Sequence, residues 1–311
     1  MNGRIFMLAA VAVLAACTDS ATEPDADPRV AGRRDEGQPA PAVAAYEVTL
    51  RYLGAPSARQ KVAVERAVQQ WQRVITGDLA SIPMKVEAGA CFKNQPAINE
   101  TVDDVVIYID FTYVDGAGGV LGEAGPCFVR SDNGLPIVGV LRLDNADLRQ
   151  MEAIGTIDDV VLHEIGHVLG IGTLWGEKRL LSGQGSADPQ FTGVAAQSAY
   201  QGVGGRTSAV PVENTGEEGT REGHWREAVF GNELMTGWIG TSGNPMSAVT
   251  IASLQDLGYN ANAGLADAYA LSGSGGTMAQ RSEARTDLRG RERVIKPKFK
   301  VDRRGGRHPH R

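Results

Sequence analysis

Residues 163–167 read His-Glu-Ile-Gly-His, two histidines four apart with a glutamate next to the first. On a helix, residues four apart share a face, so both imidazoles project to one side of a rigid support. Two imidazoles so placed are two of the three protein ligands that a catalytic zinc takes, the remaining position being left to water. Zinc brings the pKa of such a water to about 7, and a glutamate beside the ligands can take its proton. The chemistry implied is metal-assisted hydrolysis, with Glu164 as base and proton carrier. The chain has five histidines. At that frequency a chance His-Glu-x-x-His is an event of order 1 in 200.

The third ligand is not where one common arrangement puts it. Gly170 follows the second histidine, and in that arrangement a histidine comes three residues later; here that residue is Thr173. Glu177 is the nearest downstream carboxylate, as a thermolysin-type site would need, but ten residues past His167 it leaves little room for the second helix such sites use. His308 and His310 fall in a basic stretch that reads as disordered. His224 is thus the one other histidine in the part of the chain that reads as folded.

The elements that must position these residues are legible. Thr156 is the expected N-cap of the motif helix, with Asp158 and Asp159 at the positive end of its dipole. Ile157, Val161, Ile165 and Val168 form its core stripe, and His163 lies roughly 200° around the helix from Ile165. Upstream, 46–53 alternates like a half-buried strand, and a capping box at Ser57 and Gln60 opens a helix carrying Val64, Ala67, Val68, Trp71, Val74 and Ile75 on one face. Gly77 is read as its stop. Strands are expected at 82–87, at 104–114 as a central strand covered on both faces, and at 136–143. Asn244-Pro245 is read as the cap of a last helix ending near Leu257, with Gly258 as its stop. Residues 172–220 contain 10 glycines and no strong period, so they read as a loop-rich insertion.

The chain begins with Arg4 and a 12-residue apolar run, 5–16, too short to span a bilayer as a helix but of signal-peptide length. It ends in Leu14-Ala15-Ala16-Cys17, which resembles the cleavage and lipidation site of bacterial lipoproteins. Residues 18–45, rich in Pro, Ala and charge and without aromatics until Tyr46, read as a flexible tether. An exported envelope protein, held to the membrane through lipid on Cys17, is the expectation. In an oxidising compartment Cys91 and Cys127 are expected to pair; the sharper alternative is that the Cys91 thiolate caps the metal in a latent form. The net charge is −6, yet residues 281–311 hold 12 Lys/Arg against 4 Asp/Glu, which leaves −6 − 8 = −14 for the rest. The overall charge makes no case for nucleic acid. The basic stretch is read as a solvated tail, able at most to meet an anionic lipid or polymer.

The set HEIGHVLG, GHWRE, NELMTG and MSAVTIASLQDLGY resembles the leishmanolysin-type metallopeptidases, a branch of the metzincins. The resemblance covers about residues 46 to 260. It implies an α+β, metzincin-like catalytic domain: a mixed twisted sheet with an active-site helix, and a loop-rich lower subdomain. In that family a long insertion precedes the third histidine, which makes His163, His167 and His224 the zinc ligands, Glu164 the general base and 172–223 the insertion. A methionine-containing turn follows, at Met235, with Met246 as a competing candidate. The chain departs from the protozoan members in being poor in cysteine.

The reading is therefore a zinc metalloendopeptidase, a monomer acting on protein or peptide substrates, with a signal segment at 1–16, lipidated Cys17, a linker at 18–45, a peptidase domain at 46–271 and a disordered basic tail at 272–311. The alternatives are a thermolysin-type peptidase with a glutamate as third ligand, and an envelope-anchored, non-catalytic zinc-binding adhesin.

Overall fold

The computed structural model describes residues 45–217, 219–271 and 284–310. The signal segment, Cys17 and nearly all of the linker lie outside them, as do 272–283 and 311.

Strand β1 (Val48–Tyr52) leads into helix α1 (Ala58–Val74), which opens with the expected capping box: Ser57 accepts from the Gln60 amide while the Gln60 side chain accepts from the Ser57 amide. The helix stops at Ile75, two residues before Gly77. A hairpin of β2 (Ile82–Val86) and β3 (Ile98–Val102) follows, then β4 (Val105–Thr112), β5 (Gly122–Arg130), β6 (Pro136–Asp144) and helix α2 (Asn145–Ile154). Parallel β1, β4 and β6 and antiparallel β5 form the first part of a mixed sheet in the order β1-β4-β6-β5. The unbroken apolar run of β4 is explained by its two covered faces. Val105, Ile107 and Ile109 join the core that holds α1 and the motif helix; Val106 and Tyr108 join a second core under the β2–β3 hairpin. Cys91 and Cys127 are disulfide-bonded within that second core, 36 residues apart. In the chain-entropy account such a bridge stabilises by roughly 3–4 kcal/mol. The Cys91 sulfur is thus committed to a structural role and is no metal cap.

The motif helix is α3 (Ile157–Val168). Its N-cap, Thr156, makes no capping bond; its hydroxyl instead meets that of Thr286, from the far end of the chain. Helix α1 packs on α3 through Trp71, whose indole N–H donates to the Leu162 carbonyl.

The insertion contains a small sheet of β7 (Leu181–Ser182), β8 (Gln190–Phe191) and β9 (Val210–Pro211), with helix α4 (Val194–Gly202) between the last two. Trp175, Phe191, Tyr200, Val210 and Val212 are buried in the main core, so the insertion is glycine-rich in its turns yet anchored by large side chains. One short helical turn, α5 (Glu227–Phe230), strand β10 (Trp238–Gly240) and helix α6 (Ala248–Leu257) complete this half. The cap of α6 is Ser247, which accepts from the Thr250 amide; Asn244 instead ties the loop together, accepting from Gly240 and donating to the Asn232 and Trp238 carbonyls. Gly258 ends the helix with φ 113°, as expected for that position.

The basic stretch expected to be disordered from 272 to 311 is ordered over 284–310. It forms β11 (Arg285–Asp287), β12 (Glu292–Val294), β13 (Phe299–Val301) and β14 (Arg307–Pro309). β11 pairs with β10, while β12 and β13 run parallel along the free edge of β5 and β14 pairs antiparallel with β13, extending the main sheet to seven strands. The charge reading misses this because the basic residues meet carboxylates of the acidic body: Arg291 with Asp147, Arg293 with Glu123, Arg303 with Asp132 and Arg307 with Glu87. A like-charge run is disordered only when nothing neutralises it.

Candidate metal centre

Helix α3 carries His163, Glu164 and His167, all buried. Gly170 turns the chain away with φ 110°, and the Thr173 hydroxyl donates to the His167 carbonyl, closing the helix end. Thr173 therefore serves the helix that holds the two histidines. The insertion then returns the chain to the same cleft. His224 is fixed from both sides: its carbonyl accepts from the Glu213 amide, and the next amide, Trp225, donates to the Met235 carbonyl. The Trp225 ring sits against Trp175, Phe191 and Phe230, at centroid distances of 4.5, 5.4 and 5.6 Å. Its N–H donates to Thr250 on α6.

The three Nε2 atoms converge, His163 to His167 at 2.9 Å, His163 to His224 at 3.0 Å and His167 to His224 at 3.2 Å. Their Nδ1 atoms face the carbonyls of Leu234, Ile171 and Thr220 at 2.7, 2.8 and 3.0 Å. A carbonyl can only accept, so each Nδ1 carries the proton. In the neutral ring each Nε2 is then a bare lone pair. Three lone pairs pointed at one another in a buried space repel unless a cation lies between them. The carbonyls thus fix the tautomer that a metal ligand requires. Nitrogens about 2.0–2.1 Å from a tetrahedral zinc stand roughly 3.3–3.4 Å apart, so a few tenths of an ångström of spreading would fit one.

A fourth side chain is present. Glu292, the first residue of β12, places its carboxylate 3.0 Å from His224, 3.4 Å from His163 and 3.9 Å from His167. His163, His167, His224 and Glu292 together form a buried group able to hold a metal ion. Neither Glu292 oxygen has a hydrogen-bond partner, nor does Oε1 of Glu164. An ionisable group so buried is costly unless something satisfies it. Burial, and after it the negative charge of Glu292, pushes the Glu164 carboxyl well above the usual carboxylate range. Burial likewise pushes His167 well below its ordinary value, with His163 and His224 acting in the same direction. Burial opposes charge on His224 and Glu292 too, but Glu292 raises the first, and His163 and His224 together lower the second.

The loop under the site is built by Met235 and Glu233. A β-carbon added at Gly166 of α3 would lie 3.0 Å from the Met235 sulfur, so this methionine packs directly on the motif helix, between the two histidines in sequence. Met246 instead sits ahead of α6, its amide on Asp267. The buried Glu233 carboxylate accepts from the Met235 amide, the Ser247 amide and hydroxyl, and the Thr250 hydroxyl. It joins the turn that offers Leu234 to His163 to the helix that holds Trp225 beside His224.

Of the residues singled out in the sequence, the structure gathers His163, Glu164, His167 and His224 and leaves Glu177 out. The Glu177 carboxylate pairs with His310 at 2.9 Å. The thermolysin-type reading loses its ligand in that way. Glu292 and Glu233 are absent from the sequence reading. Glu292 lies in a basic run with no apolar period, where one acid gives no signal; Glu233 sits beside Met235, in the turn already singled out.

These features define a metallopeptidase-type centre. Residues 66–272 match the leishmanolysin peptidase family, and the chain belongs to that family. It is also similar to a leishmanolysin homolog of Crithidia fasciculata, with 30% identity over 166 residues, 50% of this chain and 24% of that protein. The chain therefore spans about a quarter of that relative's length.

Proposed function

We propose that this chain is a zinc-dependent endopeptidase of metzincin-like, α+β build. The observation that carries the reading is the convergence of three lone-pair nitrogens, each with its tautomer fixed by a carbonyl, beside a buried glutamate. His163, His167 and His224 would hold the zinc; the site's all-nitrogen and carboxylate donors suit that metal, and the one disulfide leaves no thiolate there. When bound, zinc polarises the substrate carbonyl and brings the pKa of water to about 7.

The chain's own groups do the rest. Glu164 takes a proton from the attacking water and returns it to the departing amine. The carbonyls of Leu234, Ile171 and Thr220 hold the imidazoles in orientation. A groove of about 590 Å³ lies on this side of the body, lined by Thr173, Glu177, Arg221 and Glu222 and, from the C-terminal segment, by Val294 and Lys296, among others.

The leader supports export and attachment through lipid on Cys17. No helix among the described residues is long and apolar enough to cross a membrane. Substrates are taken to be proteins or peptides; a role in nucleic-acid binding is not favoured, because much of the basic charge is paired within the chain.

Metal removal tests the proposal. Stripping with a strong chelator should abolish cleavage of an unfolded protein, and zinc alone should restore it. Full activity in the stripped protein would reject a metal enzyme. Zinc bound without cleavage, even in the Glu292→Ala chain, would favour the non-catalytic binding domain.

A further inference from the structure

The segment 284–310 lies across the centre that the proposed activity needs. It runs along the β5 edge from Gly122 to Arg130, through backbone bonds that include Leu121 N–H to the Arg291 carbonyl and Ile295 N–H to the Ala124 carbonyl. An unpaired strand edge beside a catalytic group is where an extended peptide adds as a further strand. Here the chain has filled that edge itself. We propose that this C-terminal segment is a built-in inhibitor, docked as a substrate-like strand, with Glu292 as its metal cap. This rests on the zinc-peptidase reading.

Four observations carry it. The first is how the segment meets the centre. The Glu292 carboxylate points to the histidines, while its carbonyl is turned to Gly219, where an added β-carbon would stand 2.7 Å from that oxygen. The segment thus presents a side chain where a substrate must present a peptide carbonyl, so it can sit at the metal without being cut. The second is the closeness of fit. At Gly125, with φ 151°, an added β-carbon would stand 2.1 Å from the Ile295 carbonyl oxygen. Two glycines of the body thus lie where no side chain could, directly under the segment.

The third observation is charge. Asp147, Glu123 and Glu177 line the track, and Arg291, Arg293 and His310 meet them. The side chains of Arg293 and Glu123 are 61% and 16% exposed, so that pair is weak and open to competition. Once vacated, the track favours an extended peptide bearing arginine. The fourth is occlusion: Glu292 is 4% exposed and His224 fully buried, so no substrate reaches the nitrogens while β12 is in place. A permanent fourth protein ligand would give a closed site of the structural kind.

The test uses the full chain in three forms: wild type, Glu292→Ala, and the double variant Arg291→Glu/Arg293→Glu. The second loosens the cap; the third loosens the strand without touching the metal group. Each is assayed for zinc per chain, for binding of a fluorescent, arginine-containing peptide hydroxamate, and for hydrolysis of an unfolded protein. Zinc should stay near one per chain in all three. Both variants should bind the hydroxamate and hydrolyse at least tenfold better than the wild type. Unchanged or weaker hydroxamate binding in both variants, with zinc retained, would overturn the inhibitor and leave the peptidase reading standing. Zinc lost from Glu292→Ala, with no gain in the double variant, would make Glu292 a resident ligand and equally overturn it. Absence of zinc from the wild type would remove the peptidase reading, and this proposal with it.

Discussion

Glu164→Ala should lose about 100-fold or more in hydrolysis while keeping its zinc, the usual scale for removing a general base. The comparison is made in chains that also carry Glu292→Ala, so that the segment does not mask the difference. Glu164 does not belong to the group of side chains that could hold the metal, so its loss takes no ligand away. It does take away the buried carboxylate next to His163, one of whose oxygens has no hydrogen-bond partner. Steady-state hydrolysis with metal analysis on the same samples checks this. Equal rates in the two chains would remove Glu164 from the mechanism.

His224→Ala should lose both zinc and activity, and for a reason that the fold supplies. His163 and His167 come from one rigid helix, whereas His224 is held by a clamp of Glu213, Met235 and the Trp225 aromatic cluster. Its deletion leaves two imidazoles and, while docked, Glu292. Two helix-borne imidazoles do not make a catalytic zinc site, which needs a third protein ligand. In chains that also carry Glu292→Ala, so that the docked carboxylate cannot stand in as a third ligand, occupancy after dialysis against a mild chelator should fall to a small fraction of that without the His224 change. Glu177→Ala, by contrast, should keep its zinc, because Glu177 is engaged with His310. The opposite pattern, zinc retained without His224 and lost without Glu177, would contradict the assignment.

Local patterns were legible in the sequence and closures over long distances were not. The capping box at Ser57, the apolar run of β4 and the histidine pair on α3 each declare themselves within a few residues, because helix and strand periods are local. β5 is hidden: Gly122, Gly125 and Pro126 break its pattern, and at Gly125 the reason is the segment packed against it, while Gly122 lies against Leu143 and Arg142 of β6 and Glu164. Thr156 reads as a cap but bonds Thr286, 130 residues away. Ser247 caps α6 in place of Asn244 because Asn244 is occupied in holding the preceding loop. The largest departure is the basic stretch, whose charge is unfavourable only for a chain considered without its acidic body. His224 was within reach of elimination and of the family resemblance; Glu292 was not, since a lone acid among arginines carries no period, motif or cap.

Zinc-edge X-ray absorption on the purified full chain reads out whether three imidazoles hold the metal. The spectrum should show one zinc per chain with three imidazole nitrogens at about 2.0–2.1 Å and an oxygen completing the shell, with the nitrogen count unchanged in Glu292→Ala. A shell of two imidazoles in the wild type, or one containing sulfur at about 2.3 Å, would contradict it.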